Sequence, residues 1–506
     1  MDNNFLRYNA LDAACTLDIH NKMWGDLSEG YQTTYDMTLA LFPVLMFMQT
    51  RGVRVSLDLL DETKADVVRA IADKQEELDE EVGFSLNVNS SKQCKQYFYI
   101  TLDIPPYLNK QKKPTVDDAT LQKLVRGTAK RKGLRSAKLI QEIRGLQKLY
   151  STYLNMEFDK DGRMRGSYNP RGTKFGRLSS SKTIFGTGMN FQNLPQAFKK
   201  FLTPDPGYVF IEPDKRQAEW VVVAYCADDP NMISAIEQGV DVHVHTASLM
   251  FGVEPELIEY DSKIIGHSTD ADWIAEARAK DSILAKYGGE FPRNMSARQC
   301  GKKSNHGLNY DEGPNGFATI NEMPIGEGKR IHKLYHSIYP GISLWYEHVK
   351  RQLQKDRTLT NCFGRKVRFM SSWCDDMWKS AYSMLPQSTV VDGLNQGMVK
   401  VYNDRTLTHD YNLDILAQVH DSILMQVPIE NLRHEGSYNE IMGKIRDYTT
   451  PTMKYNGREF TIATDFKVGL NWGSGGSDNP TGMVDVESFS DMQAHLNNWE
   501  GHAGTQ

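Results

Sequence analysis

Two carboxylates at the ends of strand-like runs, with a run of cations at helical spacing between them, carry most of the chemistry legible in this chain. Val209-Phe-Ile211 runs into Asp214, within Asp214-Lys-Arg-Gln217-Ala-Glu219. Residues 415–419 run into Asp421, within Gln418-Val-His420-Asp421-Ser422. Between them lies Arg298-Gln-Cys-Gly-Lys302-Lys-Ser-Asn-His306-Gly-Leu-Asn-Tyr310. Arg298, Lys302, His306 and Tyr310 recur every fourth residue, so they form one stripe of a helix. Carboxylates at strand ends can hold divalent ions on a rigid scaffold, and a cationic helix can hold phosphates; together they suit a triphosphate. Mg²⁺ prefers oxygen ligands and keeps waters, so two carboxylates plus substrate phosphates suffice. A lone Asp after a strand is more often a turn residue or a helix cap. It is the pair, with the cationic helix between, that points to chemistry.

The elements around these residues read as a mixed helix-and-strand chain. Residues 8–27 and 34–51 are helical, the second ending at Gly52, a helix stop. A long charged helix covers 56–82, Asn87-Val-Asn-Ser-Ser carries capping chemistry before another, and a further helix covers 138–153. Residues 233–326 are mostly helical. Residues 359–370 resemble a hairpin around Phe363-Gly364-Arg365, and 414–427 and 460–469 read as strands. Beyond Trp472, Gly-Ser-Gly-Gly-Ser-Asp-Asn-Pro predicts a flexible exit and a peripheral polar tail.

With 506 residues the chain is too long for one core. Hydrophobic content of 40% and charged content of 24% are ordinary for a globular protein. No apolar run reaches the roughly 18 residues of a membrane span, and the N-terminus lacks the pattern of a secretory signal. Six scattered cysteines without a CxxC pair argue against a zinc site or disulfide framework and for a reducing, cytoplasmic compartment. The net charge of -5 is not that of a uniformly basic nucleic-acid binder. A local cluster (Lys110, Lys112, Lys113, Lys123, Arg126, Lys130, Arg131, Lys132, Arg135, Lys138) could neutralise phosphates, or be a solvated helix face.

In their order, the three chemical segments resemble motifs A, B and C of the family A DNA polymerases, the family of bacterial DNA polymerase I and many phage replicases. Thr173-Lys-Phe-Gly-Arg177-Leu-Ser-Ser180 and Phe191-Gln192-Asn193-Leu-Pro195 resemble the family's TGRLSS and LQNIP elements, which touch the primer-template. The 181–190 segment between them is longer than in the bacterial enzymes. Residues 254–292 look inserted, with no role assigned. Val468-Gly-Leu-Asn-Trp472 is similar to the family's palm ending, and Tyr8-Asn-Ala-Leu-Asp12 to the third motif of its proofreading exonuclease. The resemblance thus runs from about Tyr8 to Trp472.

It implies an α+β right-hand fold, with an antiparallel palm sheet, helical thumb and helical fingers. The expected division is 1–27 exonuclease remnant, 28–55 palm lead-in, 56–153 thumb, 154–233 palm, 234–345 fingers, 346–473 palm and 474–506 tail. It also implies DNA-dependent addition of dNTPs to a primer 3′-hydroxyl with two Mg²⁺ ions. Asp214 and Asp421 would hold the metals, with the Lys215 backbone carbonyl as an extra ligand. Arg298 would contact the terminal phosphate, and Lys302 would bridge the phosphates and protonate the leaving pyrophosphate. Tyr310 would close the base-pair pocket, with Gln217 in support, and Glu219 would exclude a ribose 2′-hydroxyl. His243, in Asp241-Val-His243, would help hold the triphosphate.

His306 stands where the family carries Phe or Tyr, which leaves analogue discrimination undecided. Ser422 stands where it usually carries Glu. Arg177, Gln192, Asn193, Gln387 and His420 would touch DNA. Lys379 is a possible counterpart of a basic residue earlier in the Gln387 helix. Primer-template DNA and dNTPs are the implied partners, with a separate exonuclease or processivity subunit, in a host cytoplasm if the source is a phage. A phage-type RNA polymerase shares the palm and the His-Asp-Ser triplet, but Glu219 and the TGRLSS-like element argue against it. A catalytically silent DNA-binding scaffold need not keep Asp214, Asp421, Arg298 and Lys302 together.

Overall fold

The computed structural model describes residues 3–109, 111–127, 132–287 and 289–503. The chain opens with α1 (Asn3–Ala40), a largely exposed helix carrying Tyr8 and Asp12. The expected 34–51 helix is broken: α2 (Phe42–Arg51) starts afresh because Pro43 sits in its first turn, where the missing N–H costs nothing. Next come α3 (Leu57–Val82), α4 (Asp118–Arg126) and α5 (Arg135–Lys148). Asp117 caps α4 by accepting from the Thr120 N–H. Leu78, Phe98, Leu121, Leu124, Ile140 and Ile143 close a small core of their own here. Of the basic cluster, Lys110, Lys130 and Arg131 lie outside the described residues. Arg135 pairs with Glu77, so part of the cluster is spent on the fold.

The central sheet is antiparallel and five-stranded. Its strands are β1 (Tyr208–Lys215), β2 (Asp414–Val419), β3 (Ser422–Pro428), β4 (Thr464–Gly469) and β5 (Val484–Asp485). They are ordered β5-β4-β1-β3-β2. β2 and β3 form a hairpin joined by His420 and Asp421 alone, and β1 lies beside β3 with Asp214 opposite Ser422. This register brings both carboxylates to one end of the sheet.

The residues after Trp472 are not a loose tail. β5 extends the sheet, and α15 (Phe489–Ala503) follows it; the helices between are introduced below. Met483, Val486, Met492, Leu496 and Trp499 are buried in the sheet's core. Met492, Leu496 and Trp499 follow helical spacing, a signal the preceding glycines and serines obscured.

The second large core is helical. It includes α6 (Ala218–Ala227), α7 (Val242–Phe251), α8 (Pro255–Ile265) and α10 (Ala297–Gly307), and α9 (Ala271–Lys280) is tied to α8 by an ion pair. Further on are α11 (Ile325–Ile338), α12 (Pro340–Asp356) and α13 (Asp375–Asn403); α14 (Glu435–Thr449) packs on the sheet. The expected hairpin forms, with Thr358–Thr360 paired to Lys366–Arg368. No helix of the described residues is long and apolar enough to cross a membrane.

Candidate active site

Each carboxylate sits beside a non-glycine residue in left-handed backbone. Gln217 (φ 52°), two residues past β1, opens α6; His420 (φ 52°) makes the β2–β3 turn. Such backbone costs energy and persists where surrounding structure enforces it. Here the Gln192 side chain does so: its Nε2 donates to the Gln418 carbonyl (2.8 Å), and its Oε1 accepts from the His420 N–H (2.9 Å). Gln192 thus braces the carboxylate turn. Behind the pair, Glu212 accepts from Ser422 Oγ (2.9 Å) and from Trp472 Nε1 (3.1 Å). Ser422 is thereby a structural support beside Asp421.

The carboxylates feel each other. Burial, then the Asp421 and Glu212 charges, push the Asp214 carboxyl up to about 6. Burial and the Glu219 charge raise Asp421. Two half-buried carboxyls raised in this way are short of positive charge. The hard-oxygen donor set fits Mg²⁺ completed by phosphate oxygens and water. Among the described residues no cluster of three or more His, Cys, Asp or Glu forms a closed metal cage. The Lys215 side chain turns into the core and donates to Thr464 Oγ1 (2.7 Å) and the Ile462 carbonyl (3.1 Å); burial lowers its pKa to about 8.

The cationic helix α10 is capped by Ser296. Its inner face is small: Gly301 lies against α7, where an added Cβ would sit 2.2 Å from the His243 carbonyl oxygen. That close approach brings Asp241 and His243 to Arg298. One oxygen of Asp241 accepts from the His243 and Val244 N–H groups, capping α7; the other accepts from Arg298 Nε (3.0 Å) and Nη2 (2.6 Å). Lys302 and His306 are exposed on the outer face. His243 is buried, 7% accessible.

Glu219 joins the two halves. It accepts from the Tyr310 hydroxyl and from Arg177. Burial and the Glu219 charge raise the Tyr310 phenol well above its usual range, so it stays a neutral donor. Gln387 is half-buried on α13 and Asn193 is exposed at the end of the turn carrying Gln192.

Sequence reasoning gave no role to residues 254–292, and the structure supplies a structural one. Buried Arg278 of α9 pairs with buried Asp261 of α8 (2.8 Å) and donates to the Pro292 and Met295 carbonyls. Asp261 also accepts from the Ala297 N–H (2.7 Å), the first turn of α10. A cavity of about 750 Å³ separates this segment from Tyr107 and Lys123 near α4.

The sequence profile described as DNA polymerase family A matches residues 57–264 and 290–474, most of the chain. The chain belongs to DNA polymerase family A. The profile's interruption at 265–289 falls inside the segment read as inserted and contains α9. Among curated family relatives, DNA polymerase I of Chloroflexus aurantiacus is 24% identical over 486 residues, 92% of this chain and 46% of the relative. The thermostable DNA polymerase I of Thermus thermophilus is 24% identical over 413 residues, 78% of this chain and 43% of the relative. The chain thus spans less than half the length of these bacterial relatives. The polymerase domain of Pol1 from M. smegmatis, solved in complex with DNA primer-template and dNTP, superimposes with a TM-score of 0.71. It is 22% identical, and the match covers 90% of this chain and 74% of that one. The right-hand polymerase fold is therefore common to both.

Proposed function

We propose that this chain is a template-directed DNA polymerase that adds dNTPs to a primer 3′-hydroxyl, in replication or repair. The observation that carries the reading is the register of β1 against β3. It sets two underneutralised carboxylates at one sheet end, linked through Glu219 and Tyr310 to the end of a helix bearing Arg298 and Lys302. Asp214 and Asp421 would hold Mg²⁺, with the Lys215 carbonyl as a further oxygen ligand. When bound, the metal lowers the pKa of the attacking hydroxyl and neutralises the leaving pyrophosphate.

The chain's own groups do the rest. Arg298, oriented by Asp241, holds the terminal phosphate. Lys302 offsets charge on the leaving group and donates it a proton. Tyr310 and Gln217 shape the base-pair pocket, with His306 at its edge. Glu219, held by Tyr310, occupies the space a ribose 2′-hydroxyl would need. Primer entry releases Arg177 from Glu219 toward the duplex, where Asn193, Gln387 and His420 join it; Gln192 serves from behind the turn. Residues 56–153 act as thumb, 234–345 as fingers, and the sheet with its flanking helices as palm.

The test is extension of a labelled primer-template with Mg²⁺ and either four dNTPs or four rNTPs. Extension with dNTPs alone is expected. Primer-independent synthesis from rNTPs would favour an RNA polymerase instead.

A further inference from the structure

The α7–α10 seam holds a buried polar network that the proposed reaction has not used. Asn305 (2% accessible) and Thr246 (0%) lie at its centre. Asn305 Nδ2 is 3.2 Å from the Val242 carbonyl oxygen and 3.1 Å from His243 Nδ1. Asn305 Oδ1 is 3.0 Å from Thr246 Oγ1, which also meets the Tyr339 hydroxyl at 2.9 Å.

These contacts decide which way the amide points. A backbone carbonyl only accepts, so the atom facing Val242 must be the NH₂ group. Turning the amide over would set its oxygen against the Val242 oxygen, which already accepts from Thr246 Oγ1 (2.8 Å), a repulsive contact between two buried acceptors. The second proton of the same NH₂ group then points at His243 Nδ1. Nδ1 must accept, so the ring proton resides on Nε2.

We propose that Asn305 is a positioning residue that fixes His243 as the neutral Nε2–H tautomer, a ready-made hydrogen-bond donor to a triphosphate oxygen. The proposal rests on the polymerase reading for the identity of the ligand, but not for the tautomer. The charged and titratable groups facing the ring are Asp241 at the cap of its own helix, and Arg298, Lys302 and His306 from α10. Burial, with the charges of Arg298, His306 and Lys302 and against the pull of Asp241, lowers the His243 pKa to about 4. Adding a third cation beside Arg298 and Lys302 would be repulsive; a neutral donor adds a hydrogen bond without that cost. Because Asn305 sits one residue before His306 on α10, the same helix that presents the cations sets the tautomer of its neighbour.

The experiment is histidine-selective ¹⁵N NMR of the whole protein, with His243→Gln identifying the His243 signals. The expected result is a bare Nδ1 and a protonated Nε2, unchanged from about pH 6 to 9, a range well above the lowered pKa. An Nδ1–H tautomer, or titration near the ordinary histidine value, overturns the proposal even if dNTPs are incorporated normally. Absence of dNTP incorporation alongside an Nε2–H ring would overturn the polymerase reading and leave the tautomer standing.

Asn305→Asp supplies the second readout, with folding checked by thermal unfolding. A carboxylate there accepts from Nδ1–H, so His243 at high pH presents a bare Nε2 to the triphosphate. The dNTP KM is expected to rise about tenfold at alkaline pH, the effect of one lost hydrogen bond, and to recover as pH falls and the ring becomes doubly protonated. Asn305→Ala should raise KM without that pH-dependent recovery. A folded Asn305→Asp protein with parental KM at every pH would contradict the assignment.

Discussion

The two halves of the site are built on opposite terms. The carboxylate half is rigid and electrostatically uncomfortable: Asp214 and Asp421 sit at the end of a sheet, beside a left-handed turn braced by Gln192, with Glu212 adding to their repulsion. The cationic half is comfortable and open. Arg298 is paired with Asp241, Lys302 is exposed, and the buried face of the helix is neutral, built from Gly301, Ser304 and Asn305. The difference assigns the halves different work. Fixed, underneutralised carboxylates suit a reacting centre whose charge is completed only with metal and substrate. Cations at a solvent-facing helix suit capture of a mobile triphosphate.

Mutations should separate the halves, the largest effects falling on the carboxylates. Asp214→Ala and Asp421→Ala are each expected to lower kcat by about 10³-fold or more, since a group acting at the reacting centre is lost; single-turnover incorporation measures this. Next, Lys302→Ala should cost about 10²-fold, mostly in kcat, whereas Arg298→Ala should act chiefly through the dNTP KM. If both acted on KM alone, Lys302 would have no role at the leaving group.

Smaller effects probe the scaffold. Gly301→Ala forces α10 away from α7, and overpacking at such a contact costs about 1–3 kcal/mol; a lower thermal midpoint with raised dNTP KM is expected. The mildest is a gain. Asp214 has its carboxyl at about 6 in the fold against an ordinary 3.8. The folded state therefore binds more protons than the unfolded one between those values, and the ionised carboxylate costs stability above pH 6. Asp214→Asn should stabilise the metal-free protein by about 1–2 kcal/mol at neutral pH, with the gain fading as pH falls toward 4. An Asn protein less stable than the parent at neutral pH would mean the carboxylate already has a compensating partner.

The reach of the sequence follows the distance over which each contact is made. The placing of Asp214 and Asp421 at strand ends and of Arg298 and Lys302 on one helix was legible because the signal is local: a residue type at a strand end or at helical spacing. The strands over 414–427 and 460–469 were legible for the same reason, whereas their antiparallel sheet was implied by the family resemblance. What failed to show were pairings across the fold. Asp241 as the partner of Arg298, Asn305 against His243, Gln192 under the carboxylate turn and the Asp261–Arg278 brace all join residues far apart in the chain. Nothing in their spacing announces them. The C-terminal segment failed differently: its glycines and serines read as an exit, although the later spacing of Met492, Leu496 and Trp499 marks a buried helix face.

As proposed, the two carboxylates and the cationic helix act as one nucleotide-transfer site. The most direct measurement is single-turnover addition of one dNTP to a bound primer-template by the parent and by Asp421→Ala, with duplex affinity measured on the same samples. Both proteins are expected to bind the duplex alike, and only the parent to extend it. Extension by Asp421→Ala at the parental rate, or a folded parent that binds the duplex and never extends it with Mg²⁺ and dNTPs, would contradict the proposal.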